Sequence, residues 1–224
     1  MRWKYRKTSG PIKAMMELHY YRPTLFEFIG ATFLNKHILH EIDLTETSVV
    51  VDVGAFTGAW AQHIVERYDP IIYAFEPNPK SFERLQELAV NNSKLKPMKY
   101  GLGDEDLIVD FTLNGLGSSM YEERSDHAHL PLVKVEIAAV DRIWKELQLG
   151  NVDLMKINIE GAEFPLINKM IEADLIDKVD CFMIQFHEWH AGAYSKRKEI
   201  IEVLSKTHRL EWGYYFIWEK WVRR

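Results

Sequence analysis

The stretch Val49–Gly58, V-V-V-D-V-G-A-F-T-G, decides the fold. Three β-branched residues and an acid lead into two glycines, and the helical pattern A-W-A-Q-H-I-V-E-R-Y follows; this predicts a buried strand, a tight turn and a helix. Gly54 and Gly58 suit a turn with positive φ or a close approach of the backbone to a ligand, because glycine has no Cβ. The stretch predicts a nucleotide site at the helix start; an ordinary strand-to-helix turn is the alternative.

An acid follows the second predicted strand. Residues Ile71–Phe75, I-I-Y-A-F, end in Glu76. A carboxylate roughly 20 residues beyond a glycine turn accepts hydrogen bonds from ribose hydroxyls in dinucleotide sites. Pro77 and Pro79 stiffen the loop and keep Asn78 extended. Together with the glycines, Glu76 favours a ligand site over a merely polar strand end.

Strands alternate with helices along the rest of the chain, which predicts an α/β fold with a mostly parallel sheet and helices on both faces. Helices are predicted at Thr24–His40, Arg142–Leu147 and Ser195–Thr207, the second capped by Asp141. Further strands are predicted at Met98–Leu102, Leu107–Leu113, Val133–Ala138 and Val179–Phe186, within the run from Val152 to Phe164, and in two aromatic runs from Arg209 to Val222 that are split at Gly213.

Polar residues follow the apolar bodies of these strands. Ligands of parallel sheets bind beyond the carboxyl ends of the strands, beside the first one. This favours a site over a uniformly solvated rim. The polar strand-end groups are Asp52–Gly58, Glu76, Gly101–Asp104, Asn158–Gly161 and His187–His190.

Composition limits the class of function. A chain of 224 residues suits one α/β domain, predicted at 48–224, after an N-terminal basic arm and helices at 1–47. The net charge of −5 argues against nucleic acid as the main partner. The single cysteine, Cys181, excludes an internal disulfide and a cysteine metal cluster.

No apolar run approaches the roughly 20 residues of a membrane helix, and no apolar signal segment follows the basic arm Met1–Pro11. We therefore expect a cytoplasmic protein without a membrane span. The arm is interpreted as a solvated tail or as a cover for an anionic substrate. The aromatic C-terminus is interpreted as core, as a homodimer face or as a surface that stacks on a sugar.

The glycine spacing narrows the choice of ligand. The pattern G-x-x-x-G differs from the G-x-G-x-x-G of nicotinamide and flavin sites, and it lacks the G-K-[ST] ending of a triphosphate loop. A ligand without a pyrophosphate fits better. S-adenosylmethionine meets that description, and we predict it as the cofactor.

Three stretches also carry a resemblance. They are V-V-V-D-V-G-A-F-T-G at Val49–Gly58, Y-A-F-E-P-N-P at Tyr73–Pro79 and, most specifically, V-D-L-M-K-I-N-I-E-G-A-E-F at Val152–Phe164. The chain resembles the FkbM-type S-adenosylmethionine-dependent methyltransferases. The likeness includes G-S-S-M at Gly117–Met120, V-E-I-A-A-V-D-R-I at Val135–Ile143 and Q-F-H at Gln185–His187, and so runs from Val49 to His187. It leaves out the N-terminal helices and the aromatic C-terminus.

The resemblance implies a seven-stranded class I methyltransferase fold, which is Rossmann-like, and methyl transfer to a hydroxyl of a sugar, glycan, polyketide or related small molecule. It implies that Glu76 binds the ribose hydroxyls, with Pro77 and Asn78 beside the adenosine. It implies that Gly103 and Asp104 lie near the adenine. The methionine end would be lined by Asp52, Gly54, Ala55, Phe56 and Gly58.

Two residues depart from the family pattern. Asn158 stands where the family commonly has aspartate in K-I-D-x-E-G, and Gln185 stands where a later strand commonly ends E-x-H. Each change removes a carboxylate. The two losses favour altered chemistry or a silent active site as an alternative.

Methyl transfer mainly needs alignment of the acceptor, and a hydroxyl also benefits from a base. We expect His187 to be that base, because the ordinary pKa of histidine lies nearest neutral pH. Glu160 and His190 are the other candidates, with Lys156 as an orienting or charge-stabilising group. The alternative for Glu160 is a helix-start carboxylate that binds the amides of Gly161 and Ala162. For the histidines it is a surface or packing role.

A metal site of Glu160, His187 and Glu188 is an alternative, but we expect none because the chain has no compact ligand motif. Three alternatives to O-methylation stay open. The first is N-methylation on the same scaffold, for which Asn158 is adequate because an amine needs less base assistance. The second is a non-catalytic cofactor-binding protein, and the third is a nicotinamide oxidoreductase.

Overall fold

The computed structural model describes residues 24–35, 38–112, 132–188 and 191–224. The predicted basic arm, the G-S-S-M motif at Gly117–Met120 and His190 lie outside the described residues. The chain divides into two compact units, Met1–Leu39 and His40–Arg224. In the first unit, helix α1 spans 24–34, so the helix predicted at Thr24–His40 is shorter than expected.

The second unit contains the strands and the other helices. Their bounds in chain order are β1 Val49–Val53, α2 Ala59–Tyr68, β2 Ile71–Phe75, α3 Pro79–Ala89, β3 Leu95–Met98, β4 Gly101–Gly103, β5 Leu107–Thr112, β6 Leu132–Ala139, α4 Val140–Glu146, β7 Leu154–Ile157, α5 Glu163–Glu172, a 3-10 turn Ile176–Lys178, β8 Cys181–Ile184, α6 Ala193–Thr207, β9 His208–Tyr214 and β10 Trp218–Arg223.

A seven-stranded sheet in the order β3-β2-β1-β7-β8-β10-β9 forms the centre of this unit. Strands β3, β2, β1, β7 and β8 are parallel, and β10 runs antiparallel to both β8 and β9. The chain thus builds outward from β1 to β3 on one side and continues from β7 on the other. The carboxyl ends of β1 and β7 are the switch point of this topology, where α/β sheets bind ligands.

Apolar residues cover both faces of the sheet, as expected for parallel strands packed under helices. Strands β7 and β8 are buried along their whole length. Phe75, Phe164, Phe182, Phe186 and Leu154 are among the largest fully buried side chains. The predicted mostly parallel α/β fold is therefore confirmed. Within the described ranges, no helix is both long and apolar enough to cross a bilayer.

The strand predicted at Met98–Leu102 is wrong as a single element. The chain bends after Met98, so that β3 closes the edge of the main sheet while β4 joins a second sheet of order β4-β6-β5. The two glycines of β4 explain how this strand can pack closely against β6 in the second sheet. A Cβ on Gly101 would lie 2.7 Å, and one on Gly103 would lie 2.6 Å, from side-chain atoms of Ile137 on β6, the strand that pairs with β4.

Two smaller expectations also need correction. Asp141 lies in the first turn of α4 and does not cap it, since the helix already begins at Val140. Gly213 does not separate the last two strands, because it lies within β9 and pairs with Glu219. The turn falls instead at Tyr215–Ile217, where Phe216 takes a φ of 55°.

The start of the sheet is tied by Asp153, immediately before β7. Its carboxylate Oδ2 accepts a hydrogen bond of 2.7 Å from the Val49 amide, and its own amide donates to the Val49 carbonyl at 2.9 Å. Because parallel strands run side by side, this pair fixes the amino ends of β1 and β7. It lies at the end of the strands opposite the predicted site.

We expect Asp153→Ala to lower the free energy of unfolding by about 1–2 kcal/mol, because it leaves the Val49 amide without its charged acceptor. Chemical denaturation measures this. The control is Asp110→Ala, which removes an exposed pair with Lys134 at 3.6 Å and should cost less than about 0.5 kcal/mol. Equal losses in the two variants would contradict the role of Asp153.

Candidate functional site

The turn after β1 has an unusual backbone. Gly54, Phe56 and Gly58 have φ angles of 79°, 52° and 83°, so the positive φ expected of both glycines is present. A Cβ on Gly54 would lie 2.1 Å from the carbonyl oxygen of Asn158 after β7. A Cβ on Gly58 would lie 2.8 Å from Leu85 of α3. The glycines therefore serve contacts with neighbouring elements as well as the turn.

Glu76 joins the loops that follow β1 and β2. Its Oε2 accepts a hydrogen bond from the Phe56 amide at 2.7 Å, and its Oε1 accepts one from the Asn78 amide at 2.8 Å. Burial raises the pKa of Glu76 to about 7, although the amides of Asn78 and Phe56 favour the ionised form. Each oxygen keeps a further lone pair. The carboxylate is thus held in a fixed orientation with acceptor capacity to spare.

The neighbouring loop residues have structural partners too. Asn78 begins α3 as its N-cap, and its side-chain oxygen accepts from the Lys80 amide at 3.0 Å. Pro77 lies beside β4, since a Cβ on Gly101 would be 3.5 Å from the Pro77 ring. Gly103 is buried at the end of β4, whereas Asp104 is exposed. The start of β4 therefore reaches the Glu76 loop.

A buried ion pair crosses from β1 to β7. Lys156 Nζ lies 2.8 Å from Asp52 Oδ1 and donates to the Gly54 carbonyl at 2.9 Å. The Lys156 and Asp52 side chains are 6% and 0% exposed, and the two residues are direct neighbours across the strands. Burial raises the pKa of Asp52, and the nearby Lys156 charge opposes that rise. Lys156, predicted as an orienting or charge-stabilising group, is a partner of Asp52 and of the glycine turn.

A third cluster lies at the ends of β7 and β8. His187 Nδ1 is 3.2 Å from Glu163 Oε1, and His187 Nε2 is 3.8 Å from Glu160 Oε1. Glu163 is fully buried, whereas the Glu160 side chain is 19% exposed. Glu160 lies in the turn before α5 and has a φ of 52°. The structure thus brings the predicted residues Glu160 and His187 together.

Sequence reasoning missed Glu163. The helix-start role considered for Glu160 belongs to Glu163, whose Oε2 accepts from the Gly161 amide at 2.8 Å. The signal was present as the second acid of E-G-A-E. Its position at the start of α5 lets the side chain turn back toward the loop. Glu160, two residues before the N-cap Ala162, lies outside the helix.

The remaining predicted residues have other partners. The backbone amide of Asn158 donates to the Val53 carbonyl at 3.0 Å, and the backbone amide of Gln185 donates to the Ile157 carbonyl at 2.9 Å. Both are half-buried strand ends. Glu188 accepts from the Tyr194 hydroxyl at 3.2 Å. In the part of the chain that the structure describes, no group of three or more histidine, cysteine or acidic side chains has a metal-binding arrangement.

A seven-stranded sheet of this order, with a glycine turn after β1 and a buried acid after β2, defines a class I methyltransferase, a Rossmann-like α/β enzyme. Comparison with family models agrees, because the methyltransferase FkbM domain matches residues 52–216. The chain belongs to the FkbM methyltransferase family. The match runs beyond His187 and includes most of the aromatic C-terminus, so the expectation that the likeness ends at His187 is wrong.

Individual relatives are distant. The chain is 23% identical over 166 residues to the hexuronic acid methyltransferase AglP of Haloferax volcanii, a region that is 72% of this chain and 63% of AglP. The chain therefore spans less than two thirds of that relative. A putative rRNA methylase from Clostridium thermocellum superposes with a TM-score of 0.48 at 8% identity, over 80% of this chain and 88% of its own. Fibrillarin of Methanococcus jannaschii superposes with a TM-score of 0.46 at 10% identity, over 85% of this chain and 74% of the fibrillarin chain.

Lys156→Met should lower the free energy of unfolding by about 3–5 kcal/mol, because it leaves the Asp52 carboxylate buried without its cation. A carboxyl whose pKa is raised by folding stabilises the fold at low pH and loses that contribution as the pH rises. Lys156→Met should therefore lower the free energy of unfolding more near about pH 8 than near about pH 5.

Denaturation of the double variant Asp52→Asn/Lys156→Met provides the control for this prediction. It removes both charges and should recover much of the lost stability. A double variant as unstable as Lys156→Met alone would mean that packing of the lysine stem, and not the charge pair, carries the effect.

Proposed function

We propose that this methyltransferase uses S-adenosylmethionine to methylate a hydroxyl of a sugar, glycan or related metabolite. The observation that carries the proposal is the Glu76 carboxylate, held by amides from two loops beside the glycine turn. Two carboxylate oxygens in a fixed orientation suit the paired hydroxyls of a ribose. A cytoplasmic location and a homodimer stay predictions from the sequence.

Two buried polar atoms support the fit of the cofactor. Asp52 Oδ2 and Asn158 Oδ1 have no hydrogen-bond partner among the described residues, and both residues flank the glycine turn. Buried polar atoms normally have partners, and a donor such as the methionine ammonium would supply one. On this proposal, the methionine end contacts Asp52, Gly54, Ala55, Phe56 and Gly58, the ribose contacts Glu76, and the adenosine contacts Pro77, Asn78, Gly103 and Asp104.

The bound cofactor would supply an electrophilic methyl group on a sulfonium. The chain must then hold the acceptor in line and take up the hydroxyl proton. His187 is the proposed base, and the half-buried Glu160 carboxylate lies 3.8 Å from its Nε2. Because Lys156 is paired with Asp52 and the Gly54 carbonyl, on this proposal it stabilises the glycine turn that contacts the cofactor. Asn158 offers its side-chain oxygen Oδ1 to the cofactor beside the same turn.

The charges around His187 support a hydroxyl acceptor. AglP is named for a hexuronic acid, which carries both hydroxyl and carboxylate oxygens. An anionic carboxylate acceptor needs no base and would be repelled by Glu160 and Glu163, which flank the His187 ring. A neutral hydroxyl avoids that repulsion and uses the base. The same carboxylates would tolerate an amine, so N-methylation is the second candidate.

Calorimetric titration with S-adenosylmethionine should show binding that tightens about tenfold from about pH 6 to about pH 8. The reason is the Glu76 pKa of about 7. The carboxyl is mostly protonated below this value and mostly ionised above it, and the ionised form offers all its oxygens as acceptors.

Glu76→Gln is the matched control for the titration, because the ligand's own amine still titrates in it. It should bind weakly, without the steep change between these pH values that Glu76 adds. No heat with the wild-type protein would contradict the choice of cofactor. A wild-type pH profile identical to that of Glu76→Gln would remove Glu76 from the ribose role.

Transfer of a labelled methyl group to uronic acids, neutral sugars and amines tests the acceptor. His187→Ala should bind the cofactor normally and lower turnover by about 10²–10⁴-fold. The product should be a methyl ether that survives mild alkali. Release of the label by alkali would indicate an ester and contradict the hydroxyl proposal, and label on nitrogen would favour the second candidate.

A further inference from the structure

We infer that Glu163 is a positioning residue for the base: it fixes the His187 ring so that Nδ1 carries the proton and Nε2 points toward Glu160 and the acceptor. The inference deepens the proposed function and rests on it for the role of His187. Its structural part, the tautomer and orientation of one ring, can be measured without any cofactor or acceptor.

The first step is the set of donors on Glu163. Its carboxylate is fully buried, where polar atoms need partners. Oε2 accepts from the Gly161 amide at 2.8 Å, and Oε1 accepts from the His187 amide at 2.7 Å. A backbone amide can only donate, so both oxygens are committed as acceptors. The carboxylate therefore cannot rotate without the loss of a buried hydrogen bond.

The second step follows for the imidazole. His187 Nδ1 lies 3.2 Å from Glu163 Oε1, the same oxygen that binds the His187 amide. A ring nitrogen that faces an acceptor must donate. In the neutral ring the proton is thus on Nδ1, and the lone pair is on Nε2, the nitrogen nearer Glu160. The second partner of a histidine commonly selects its tautomer in this way.

The third step is the rigidity of the two residues. Glu163 is the first residue of α5, and His187 follows the end of β8. The residues next to them in sequence, Phe164 and Phe186, are fully buried and pack with ring centroids 5.7 Å apart. Both partners are therefore mounted on packed core elements, which is what a precisely held catalytic group requires.

Together these steps define how the pair would act. Nε2 would accept the proton of the acceptor hydroxyl while the hydroxyl oxygen bonds to the methyl carbon, and the methyl–sulfur bond of the sulfonium would break with its electron pair left on sulfur. The ring then carries both protons, and its positive charge lies between the carboxylates of Glu163 and Glu160. Without Glu163 the ring can adopt the other tautomer, whose Nε2 is already protonated and cannot act as a base.

Nitrogen NMR of histidine labelled with ¹⁵N tests the tautomer directly. Signals of His187 are identified by their absence in His187→Asn, which keeps an amide donor near the Nδ1 position. We expect the neutral wild-type ring to carry its proton on Nδ1, and Glu163→Gln to shift the population toward the Nε2-protonated form. A wild-type ring protonated on Nε2, or a tautomer unchanged in Glu163→Gln, would overturn the inference.

Kinetics of the same variants separate positioning from mere stability. Glu163→Gln should lower kcat at least about tenfold with little change in KM, and it should cause no further loss in the His187→Asn background, because it acts through that ring. Asp153→Ala is the control that lowers stability at the far end of the sheet and leaves kcat unchanged. Multiplicative losses in the double variant would overturn the inference.

A second substitution guards against misfolding. If Glu163→Gln does not fold, Glu163→Asp keeps the charge but is one methylene shorter, and it should shift the tautomer partly and retain an intermediate kcat. A folded Glu163→Asp variant that keeps the wild-type kcat, although His187 no longer carries its proton on Nδ1, would contradict the link between the tautomer and catalysis. Failure of methyl transfer in the wild type, with the Nδ1 tautomer present, would contradict only the proposed function.

Discussion

The buried ion pair between Asp52 and Lys156 ties the two strands on which the site depends. It lies between β1 and β7, at the switch point of the sheet, and Lys156 also holds the Gly54 carbonyl of the turn. A charge removed from water is costly unless it is paired and hydrogen-bonded. Neither residue can change alone at low cost. The same pair that joins the strands therefore also fixes the backbone from which the Phe56 amide reaches Glu76.

Two buried glutamates take different roles because their surroundings differ. Glu76 binds one amide on each oxygen and has acceptor capacity left toward the turn, and burial raises its pKa to about 7. Glu163 binds two amides and an imidazole, which use its oxygens inside the protein. The first is suited to an external ligand with hydroxyl donors. The second is suited to hold another side chain.

The sequence predicted what depends on local pattern. Apolar runs followed by polar ends identified β1, β2 and the sheet class, and the glycine pair correctly indicated positive φ at Gly54 and Gly58. It could not separate β3 from β4, because that split depends on the approach of β4 to Ile137 across a second sheet. It also took Lys156 as an orienting or charge-stabilising group among the catalytic residues, and it considered the helix-start role for Glu160 and not for Glu163. Both assignments needed the register of β1 against β7 and the first residue of α5, which are set by tertiary packing.

The two departures from the family pattern take a different meaning once the cluster at His187 is known. Asn158 and Gln185 stand where the resemblance led us to expect carboxylates, which favoured altered chemistry or a silent site as an alternative. Yet His187 keeps two acidic neighbours, because Glu163 lies against its Nδ1 and Glu160 lies on its Nε2 side. Asn158 instead contacts the glycine turn through its backbone, where its carbonyl excludes a side chain at Gly54. On the proposed mechanism, the base and its two acidic neighbours are therefore present without either missing acid.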